Sequence, residues 1–195
     1  QAWGLTGANI DVFGYMFPRK IDPIVAPIST AIGVMGMLGL TAYAGLVVQC
    51  EPKPGDTLVV SAASGGVGQV VCQLGRLYGC RVVGIAGSDE KLKYLKTLGV
   101  DAVVSHRSPG FAEELQQACP DGCDIYFENV GGAAFEGVLP LLNVHARISL
   151  CGLISQYGND DGQDPRSLWR TRGNAAFERN SVVVHDLFVG NFVAQ

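Results

Sequence analysis

The amino-acid sequence predicts an α/β protein with a doubly wound parallel sheet of six strands and helices on both faces. From position 53 onward, short apolar runs rich in β-branched residues alternate with amphipathic helical patterns. Such alternation gives right-handed crossovers and a parallel sheet. With 48% hydrophobic and 16% charged residues, the composition supplies the apolar side chains that a sheet covered on both faces needs. The same composition excludes a disordered chain.

The predicted elements follow one another along the chain. Six apolar runs are predicted as strands: 57–61, 81–86, 101–105, 124–128, 146–150 and 181–189. The intervening segments have apolar residues at helical spacing and are predicted as helices: 67–78, 88–98, 111–118, 134–142 and 167–179. Gly79 and Gly99 follow the first two helices, where a left-handed residue commonly ends a helix. Ser88 precedes two acidic residues and is a favourable N-cap for the second helix.

The segment between Asp22 and Glu51 contains no charged residue and is long enough to cross a bilayer. It also contains Pro23, Pro27 and four glycines, which would break a lone membrane-spanning helix. We therefore expect a buried loop and helix packed against the sheet, and no membrane partner.

Charge and cysteine usage exclude other classes of protein. The net charge of −4 provides no basic surface for a polyanion, so no nucleic-acid partner is expected. The six cysteines form no CxxC pair and no Cys/His cluster with the spacing of a zinc site. We therefore predict no metal site, and reduced thiols in a cytoplasmic protein.

A glycine-rich turn joins the first predicted strand to the first predicted helix. It reads Ser64-Gly65-Gly66-Val67-Gly68, and with Ala62 it has the spacing AxxGxxG rather than the commoner GxGxxG. Helix N-terminal amides bind phosphate when no side chain blocks them, and Gly65 and Gly66 leave that approach open. Gly68 allows the helix to pack close to the strand. The pattern predicts a Rossmann site for a dinucleotide pyrophosphate, and a glycine turn that serves packing alone is the alternative.

Residues after the second and third strands indicate which dinucleotide is bound. An acidic residue near the end of the second strand favours NAD, and a basic one favours the 2′-phosphate of NADP. Asp89 is a possible ribose acid, although a first-turn helix acid is the simpler interpretation. Lys91, His106 and Arg107 could reach a phosphate, or they could be ordinary solvated side chains. We predict NADP as the cofactor.

Four motifs, in this order, resemble the medium-chain dehydrogenase/reductase superfamily: AASGGVGQ, VVGIAGSDEK, DIYFENVGG and LCGLISQY. Within it they look like the zinc-independent NADPH-dependent alkenal/one reductases, the group of the leukotriene B4 dehydrogenase/15-oxoprostaglandin and curcumin reductases. The resemblance implies a Rossmann nucleotide-binding domain over 28–195, with 1–27 as a remnant or linker of a preceding catalytic domain. It also implies reduction of the C=C bond of an α,β-unsaturated aldehyde or ketone by hydride transfer from the nicotinamide.

The resemblance assigns roles to individual residues. Lys91 matches the lysine that binds the 2′-phosphate, and His106 falls where many relatives have a tyrosine on that phosphate. Tyr157 matches a tyrosine that faces the nicotinamide ribose and substrate, and a phenol after a strand C-terminus could donate a hydrogen bond or a proton to an enolate. Together with Arg107, the other residues predicted to line the cofactor cleft are Met37, Thr41, Ser64, Gly65, Gly66, Val67, Gly68, Asn129, Cys151, Gly152, Ile154, Phe192 and Val193. One departure is Leu38, where relatives usually have a proline.

Other functions stay open: a quinone reductase or zinc-type alcohol dehydrogenase of the same superfamily, and a non-catalytic NADP(H)-binding module. Tyr43 is a second candidate donor, although its helical spacing from Val47 is typical of a core position. The apolar strand 181–189 would be an exposed edge unless it is paired or covered, which favours a homodimer.

Overall fold

The computed structural model describes residues 21–158 and 162–193, so most of the predicted segment 1–27 lies outside the described residues. The strands are β1 Thr57–Val60, β2 Arg81–Ala86, β3 Ala102–Ser105, β4 Cys123–Glu128, β5 Leu142–Leu150 and β6 Val183–Asp186. They form one sheet in the order β3-β2-β1-β4-β5-β6, and every neighbouring pair is parallel. The predicted doubly wound sheet is confirmed, and this strand order is that of the Rossmann fold.

The α-helices alternate with the strands from β1 onward. They are α1 Met37–Tyr43, α2 Gly66–Leu77, α3 Asp89–Thr97, α4 Phe111–Ala118, α5 Gly132–Val138 and α6 Pro165–Asn180. The predicted cap of α3 is present, because Ser88 Oγ accepts the Lys91 amide at 3.4 Å. Asp164 caps α6 in the same way, accepting the amides of Arg166 and Ser167.

The strands send alternate side chains into two apolar layers, one on each face of the sheet. On one face, Val59, Tyr126 and Ile148 pack with Phe135 of α5 and Trp169 of α6. On the other face, the alternate residues of the same strands pack against α1, α2 and α3. The sheet is therefore covered on both sides, and its open ends are the places where a ligand can meet the strands.

The predicted helix 134–142 is wrong at its end. Helix α5 stops at Val138 and a short 3₁₀ turn, Leu139–Leu141, follows. Pro140 in that turn has no amide hydrogen with which to continue an α-helix. The next strand consequently begins at Leu142, four residues before the predicted start at 146.

The last predicted strand, 181–189, is shorter than expected. Ser181 adopts a left-handed conformation with φ of 50° as the C-cap of α6, so β6 begins only at Val183. After Asp186 the chain leaves the sheet and forms a 3₁₀ turn, Val189–Phe192.

The uncharged segment before β1 contains a 3₁₀ turn Ile28–Ile32, α1, and a π-helical turn Ala44–Gln49. The predicted packing of a helix against the domain is confirmed for α1, whose Thr41 and Ala42 are buried. The prediction of a buried preceding loop is wrong, because Ile24 and its apolar neighbours are exposed. Nothing in the described chain packs over them.

Tyr43 is 48% exposed, so its predicted core position is also wrong. Among residues 21–158 and 162–193, no helix is long and apolar enough to cross a membrane.

Candidate functional site

The predicted phosphate-binding turn lies at the carboxyl edge of the sheet, where β1 leads into α2. Ala62 adopts a left-handed backbone with φ of 47°, and the chain then reaches Gly66, the first residue of α2. The Gln69 amide donates to Gly65 O at 3.0 Å and begins the helical ladder. The amides of residues 66–68 therefore lie ahead of that ladder, at the helix end where the dipole favours an anion.

The three glycines of the turn differ in what surrounds them. A Cβ on Gly68 would lie 2.4 Å from Ala62 O and 2.9 Å from Ala63 Cα, both backbone atoms. A Cβ on Gly65 would have Ala62 O as its nearest neighbour, at 3.1 Å. Gly68 thus permits the close packing of α2 on the turn, as predicted, whereas Gly65 faces a more open side.

Gly66 lies under a residue of α1. Its Cβ would meet Leu38 Cδ1 at 2.7 Å, so the side chain that replaces the expected proline packs directly on the start of α2. This contact joins the segment before β1 to the candidate site.

A cavity of about 220 Å³ adjoins the turn. Ser64 and Gly65 line it from the turn between β1 and α2, and Lys91, His106 and Arg107 line it from the ends of the neighbouring elements. Burial of a phosphate needs donors and positive charge on several sides, and this cavity brings such groups together. The predicted 2′-phosphate residues are therefore grouped in space, although their contact with a cofactor stays a prediction.

Gly87 explains how His106 and Arg107 reach this cavity. A Cβ at Gly87 would lie 2.6 Å from His106 Cε1 and 3.3 Å from Arg107 Nε. The missing side chain at the end of β2 leaves room for both groups from the end of β3. Asp89 instead begins α3, directly after the capping Ser88, which favours the first-turn acid over a ribose ligand.

Other residues predicted to line the cofactor cleft lie on α1 and directly after β5. Thr41 of α1 is buried and donates its hydroxyl to Met37 O at 2.7 Å, while Met37 itself is half exposed. The amides of Cys151 and Gly152 both donate to Glu128 O, at 2.9 and 3.1 Å.

The outermost assigned residues follow β5 and β6. Ile154 lies in a 3₁₀ turn and is exposed. Phe192 packs, partly buried, against the core layer that also contacts Cys151, and Val193 is exposed. These positions are compatible with the prediction and do not test it.

Tyr157 follows that 3₁₀ turn and is 64% exposed. Its hydroxyl oxygen accepts the Leu153 amide at 3.3 Å and lies 3.1 Å from where a Cβ on Gly152 would be. The phenol is thus held beside the end of β5 with its own proton still available to an acceptor.

The Cys151 thiol sits at the same edge but is poorly suited to nucleophilic chemistry. Burial raises its pKa to about 11, and the positive charge of Arg166 offsets this only in part. A thiol with such a pKa is almost entirely protonated at neutral pH. Its place in the cleft is therefore that of a small apolar side chain.

Sequence reasoning missed one charged residue of the site, Glu128. It ends β4 and is fully buried, where Ser61 Oγ donates to Oε1 at 2.8 Å and Trp169 Nε1 donates to Oε2 at 3.2 Å. The available signal was a carboxylate that directly follows the apolar residues 125–127 at the end of a predicted buried strand, because charged residues are almost never fully buried unless paired.

All six cysteines are free thiols. Within the described parts of the chain, no group of three or more His, Cys, Asp or Glu residues is arranged to hold a metal ion.

Comparison with known proteins identifies relatives of this chain. The family model described as "Zinc-binding dehydrogenase" matches residues 66–177. The NADPH-dependent curcumin reductase of Escherichia coli is 55% identical over 130 residues, which is 66% of this chain and 38% of that protein. Prostaglandin reductase 1 of Mus musculus is 50% identical over 145 residues, or 74% of this chain and 44% of that protein. The NADP(+)-dependent 2-alkenal reductase of Nicotiana tabacum is 42% identical over 173 residues, or 86% and 50%.

Solved structures agree with these relatives. CurA of Vibrio vulnificus in complex with NADPH has a TM-score of 0.75 and 48% identity, covering 85% of this chain and 52% of that one. The quinone oxidoreductase of Escherichia coli complexed with NADPH has a TM-score of 0.70 at 23% identity, which shows the fold alone. This chain spans about half the length, or less, of the curated relatives described above.

The family match covers more than half of the chain, and the strand order agrees with it. The chain therefore belongs to the zinc-binding dehydrogenase family, within the medium-chain dehydrogenase/reductase superfamily that its motifs predicted.

Proposed function

We propose that this protein is an NADP-dependent oxidoreductase that reduces the C=C bond of α,β-unsaturated aldehydes and ketones, and that residues 28–195 form its nucleotide-binding domain. The observation that carries the proposal is the cavity where the turn before α2 meets Lys91, His106 and Arg107. Identities of 42% to 55% to reductases named for curcumin and for 2-alkenals support the reaction class.

The residues of the cleft fit a phosphorylated dinucleotide. The amides of residues 66–68 would hold the pyrophosphate, and Lys91 with Arg107 and His106 would bind the 2′-phosphate. Bound NADPH would supply the hydride that reduces the alkene. The segments that end in Asn129 and Gly152 would flank the nicotinamide half.

Tyr157 is proposed as the catalytic residue. Its hydroxyl already accepts the Leu153 amide, so its proton can be donated to the oxygen of the enolate that forms. Loss of one such donor typically costs about 3 kcal/mol of transition-state stabilisation. Tyr157→Phe is therefore expected to lower kcat by roughly a hundredfold, with little change in the KM for NADPH.

The cofactor preference is tested by fluorescence titration of the purified protein with NADPH and NADH. We expect tighter binding of NADPH and loss of most of that preference in Lys91→Ala, because a charged hydrogen bond contributes about 1.5–3 kcal/mol. Lys93→Ala is the matched control, since Lys93 lies on α3 but does not line the cavity. Equal affinities for the two nucleotides in the unmodified protein would refute the preference.

The reaction class is tested with an alkenal, a quinone and an alcohol in one spectrophotometric panel. Turnover of the alkenal supports the proposal, whereas activity on the quinone or the alcohol alone favours the other enzymes of the superfamily. NADPH binding without turnover of any substrate would indicate a nucleotide-binding module.

We also propose a homodimer that forms along β6. This strand ends the sheet and its Val183 is about half exposed, which leaves an edge suited to pairing with a second copy. Sedimentation velocity should show a dimer that Val183→Lys weakens, and a monomer at all concentrations would refute the pairing.

The free thiols support a reducing compartment, and we propose a cytoplasmic location. Fluorescence microscopy of the tagged protein should show it there, and a secreted or membrane-bound pool would contradict the assignment.

A further inference from the structure

Among the described residues, Glu128 carries the only fully buried carboxylate. The proposed reaction gives it no role. Its Oε1 accepts the Ser61 hydroxyl at 2.8 Å and the amides of Val130 and Gly131 at 2.7 and 3.0 Å. Its Oε2 accepts the Trp169 indole N–H at 3.2 Å. Burying a charge is costly unless it is well hydrogen-bonded, and these four donors from three parts of the chain offset part of that cost.

The carboxylate fixes the loop that follows its own strand. Two of its four donors are amides of that loop. The loop is also tied to the end of β1, because the Asn129 amide donates to Ser61 Oγ and the Asn129 side chain donates to Ser61 O, both at 2.8 Å. Gly131 and Gly132 both adopt positive φ, a conformation that few other residues hold without strain. The path of the loop thus depends on the group that binds its amides.

The same loop holds the segment that leads to Tyr157. Asn129 O accepts the Ile154 amide at 3.2 Å, and Val130 O accepts the Ser155 amide at 3.1 Å. The Ser155 hydroxyl donates to Val130 O as well. The Glu128 carboxylate therefore holds the loop 129–132 directly, through two of its amides. It holds the segment 153–157 indirectly, through the hydrogen bonds between that segment and the loop.

We propose that Glu128 is a positioning residue that sets the two loops 129–132 and 153–157 at the edge of the cofactor cleft. This inference rests on the proposed function, because it assumes that these loops meet the nicotinamide half of NADP. Glu128 acts on them through the amides of Val130 and Gly131 and does not itself contact cofactor or substrate.

The donor arrangement explains why a carboxylate is needed. An amide side chain at position 128 could present its oxygen to the three donors on one side, but its NH₂ would then face the Trp169 indole N–H. The reverse orientation would place the NH₂ against the Val130 and Gly131 amides. Only an acceptor on both oxygens satisfies all four donors.

The charge state of Glu128 makes the inference testable by pH. Burial raises the pKa of Glu128, and the amides of Gly131 and Val130 and the Ser61 hydroxyl offset part of that effect. The titratable groups nearby are Tyr126 and Cys151, whose pKa values are both raised mainly by burial. Neither of them is ionised near neutral pH, so a change of charge in this cluster below neutral pH reports on the Glu128 carboxyl group.

The test compares Glu128→Gln with Glu136→Gln, the same substitution at an exposed residue of α5. In Glu128→Gln we expect the KM for NADPH to rise about tenfold and kcat to fall as well, because the segment that carries Tyr157 also loses its support. Glu136→Gln should match the unmodified protein in both. As the pH is lowered through the titration of Glu128, the KM for NADPH of the unmodified protein should approach that of Glu128→Gln. A constant ratio between the two would overturn the inference.

Amide hydrogen exchange in the absence of nucleotide supplies a second measurement. Peptides covering 129–132 and 153–157 should exchange several-fold faster in Glu128→Gln, with β1 to β3 unchanged. If that variant does not fold, Trp169→Phe removes one donor to the carboxylate without removing a bond to either loop, and it should accelerate exchange in the same two peptides. Unchanged exchange there, or an equal increase throughout the sheet, would overturn the inference. If the unmodified protein bound no NADPH, the proposed function would fail while this exchange pattern could still be observed.

Discussion

The turn before α2 allows stability and nucleotide binding to be separated by substituting two glycines one at a time. Gly68→Ala places a methyl group 2.4 Å from Ala62 O and 2.9 Å from Ala63 Cα. Because these are backbone atoms, they cannot move aside by a change of rotamer. Such overpacking costs about 3 kcal/mol at the upper end of its usual range, against a gain of about 1 kcal/mol in helix propensity. The expected net loss of stability is about 2 kcal/mol, or roughly 4–8 °C in Tm.

Gly65→Ala should behave in the opposite way. Its backbone, with φ of −72° and ψ of 170°, is one that any residue adopts, and its Cβ would make one tight contact, with Ala62 O at 3.1 Å, which offsets the gain of replacing a glycine. We expect unfolding free energies within about 0.5 kcal/mol of the unmodified protein. The added methyl group would nevertheless stand where the pyrophosphate approaches the amides. Loss of one charged hydrogen bond, about 1.5–3 kcal/mol, corresponds to NADPH binding that is weaker by about tenfold to a hundredfold.

The assay is a pair of measurements on each purified variant: urea-induced unfolding followed by circular dichroism, and NADPH titration followed by fluorescence. The reasoning predicts a crossed pattern, in which Gly68→Ala is unstable and Gly65→Ala is stable but binds poorly. A stable Gly65→Ala variant that binds NADPH normally would refute the placement of the pyrophosphate. A Gly68→Ala variant as stable as the parent would refute the packing role.

Three further predictions follow from single side chains. Ser88→Ala removes the cap of α3 and should lower the urea-unfolding free energy by about 1 kcal/mol without changing the m-value. Cys151, with a pKa of about 11 against an ordinary 9.0, should react with iodoacetamide roughly a hundredfold more slowly than a free cysteine at neutral pH; labelling at the free rate, detected by mass spectrometry, would contradict this. The raised pKa of Glu128 means that the folded state binds the proton more tightly than the unfolded state. The unfolding free energy of the unmodified protein, relative to that of Glu128→Gln, should therefore fall as the pH rises from the ordinary carboxyl pKa through the raised one. Thermal unfolding of both proteins across that pH range measures this difference in stability. A difference that grows in favour of the unmodified protein as the pH rises would show that the pKa of Glu128 is lowered instead.

The sheet could be predicted because its signals are local. The predicted bounds 81–86 and 111–118 agree with β2 and α4, and both segments have a glycine or proline just before or after them. The prediction failed between α5 and β5, where Pro140 ends a helix in the middle of an apolar run. In a continuous apolar run, the spacing of hydrophobic residues does not distinguish the end of a buried helix from the start of a buried strand.

The site could be predicted only in part, for the same reason. The glycine turn is a short contiguous pattern, and Lys91 follows soon after the second strand. The Glu128 network instead joins residues that are far apart in the sequence: Ser61 lies 67 positions before Glu128, and Trp169 lies 41 positions after it. No local spacing relates these three, because they meet only when β1, β4 and α6 are assembled.

The energetic character of Glu128 indicates why such a residue stays at this position. A group whose pKa is raised by burial lowers the stability of the fold when it is ionised, and an apolar core residue would avoid that cost. An apolar residue would, however, leave the amides of Val130 and Gly131 without an acceptor, at the point where two loops reach the cleft. Departures from the usual pattern of buried residues tend to occur where function requires them. Glu128 therefore lowers the stability of the fold at the end of β4, and in exchange it fixes the loops that shape the cleft beside Asn129 and Tyr157.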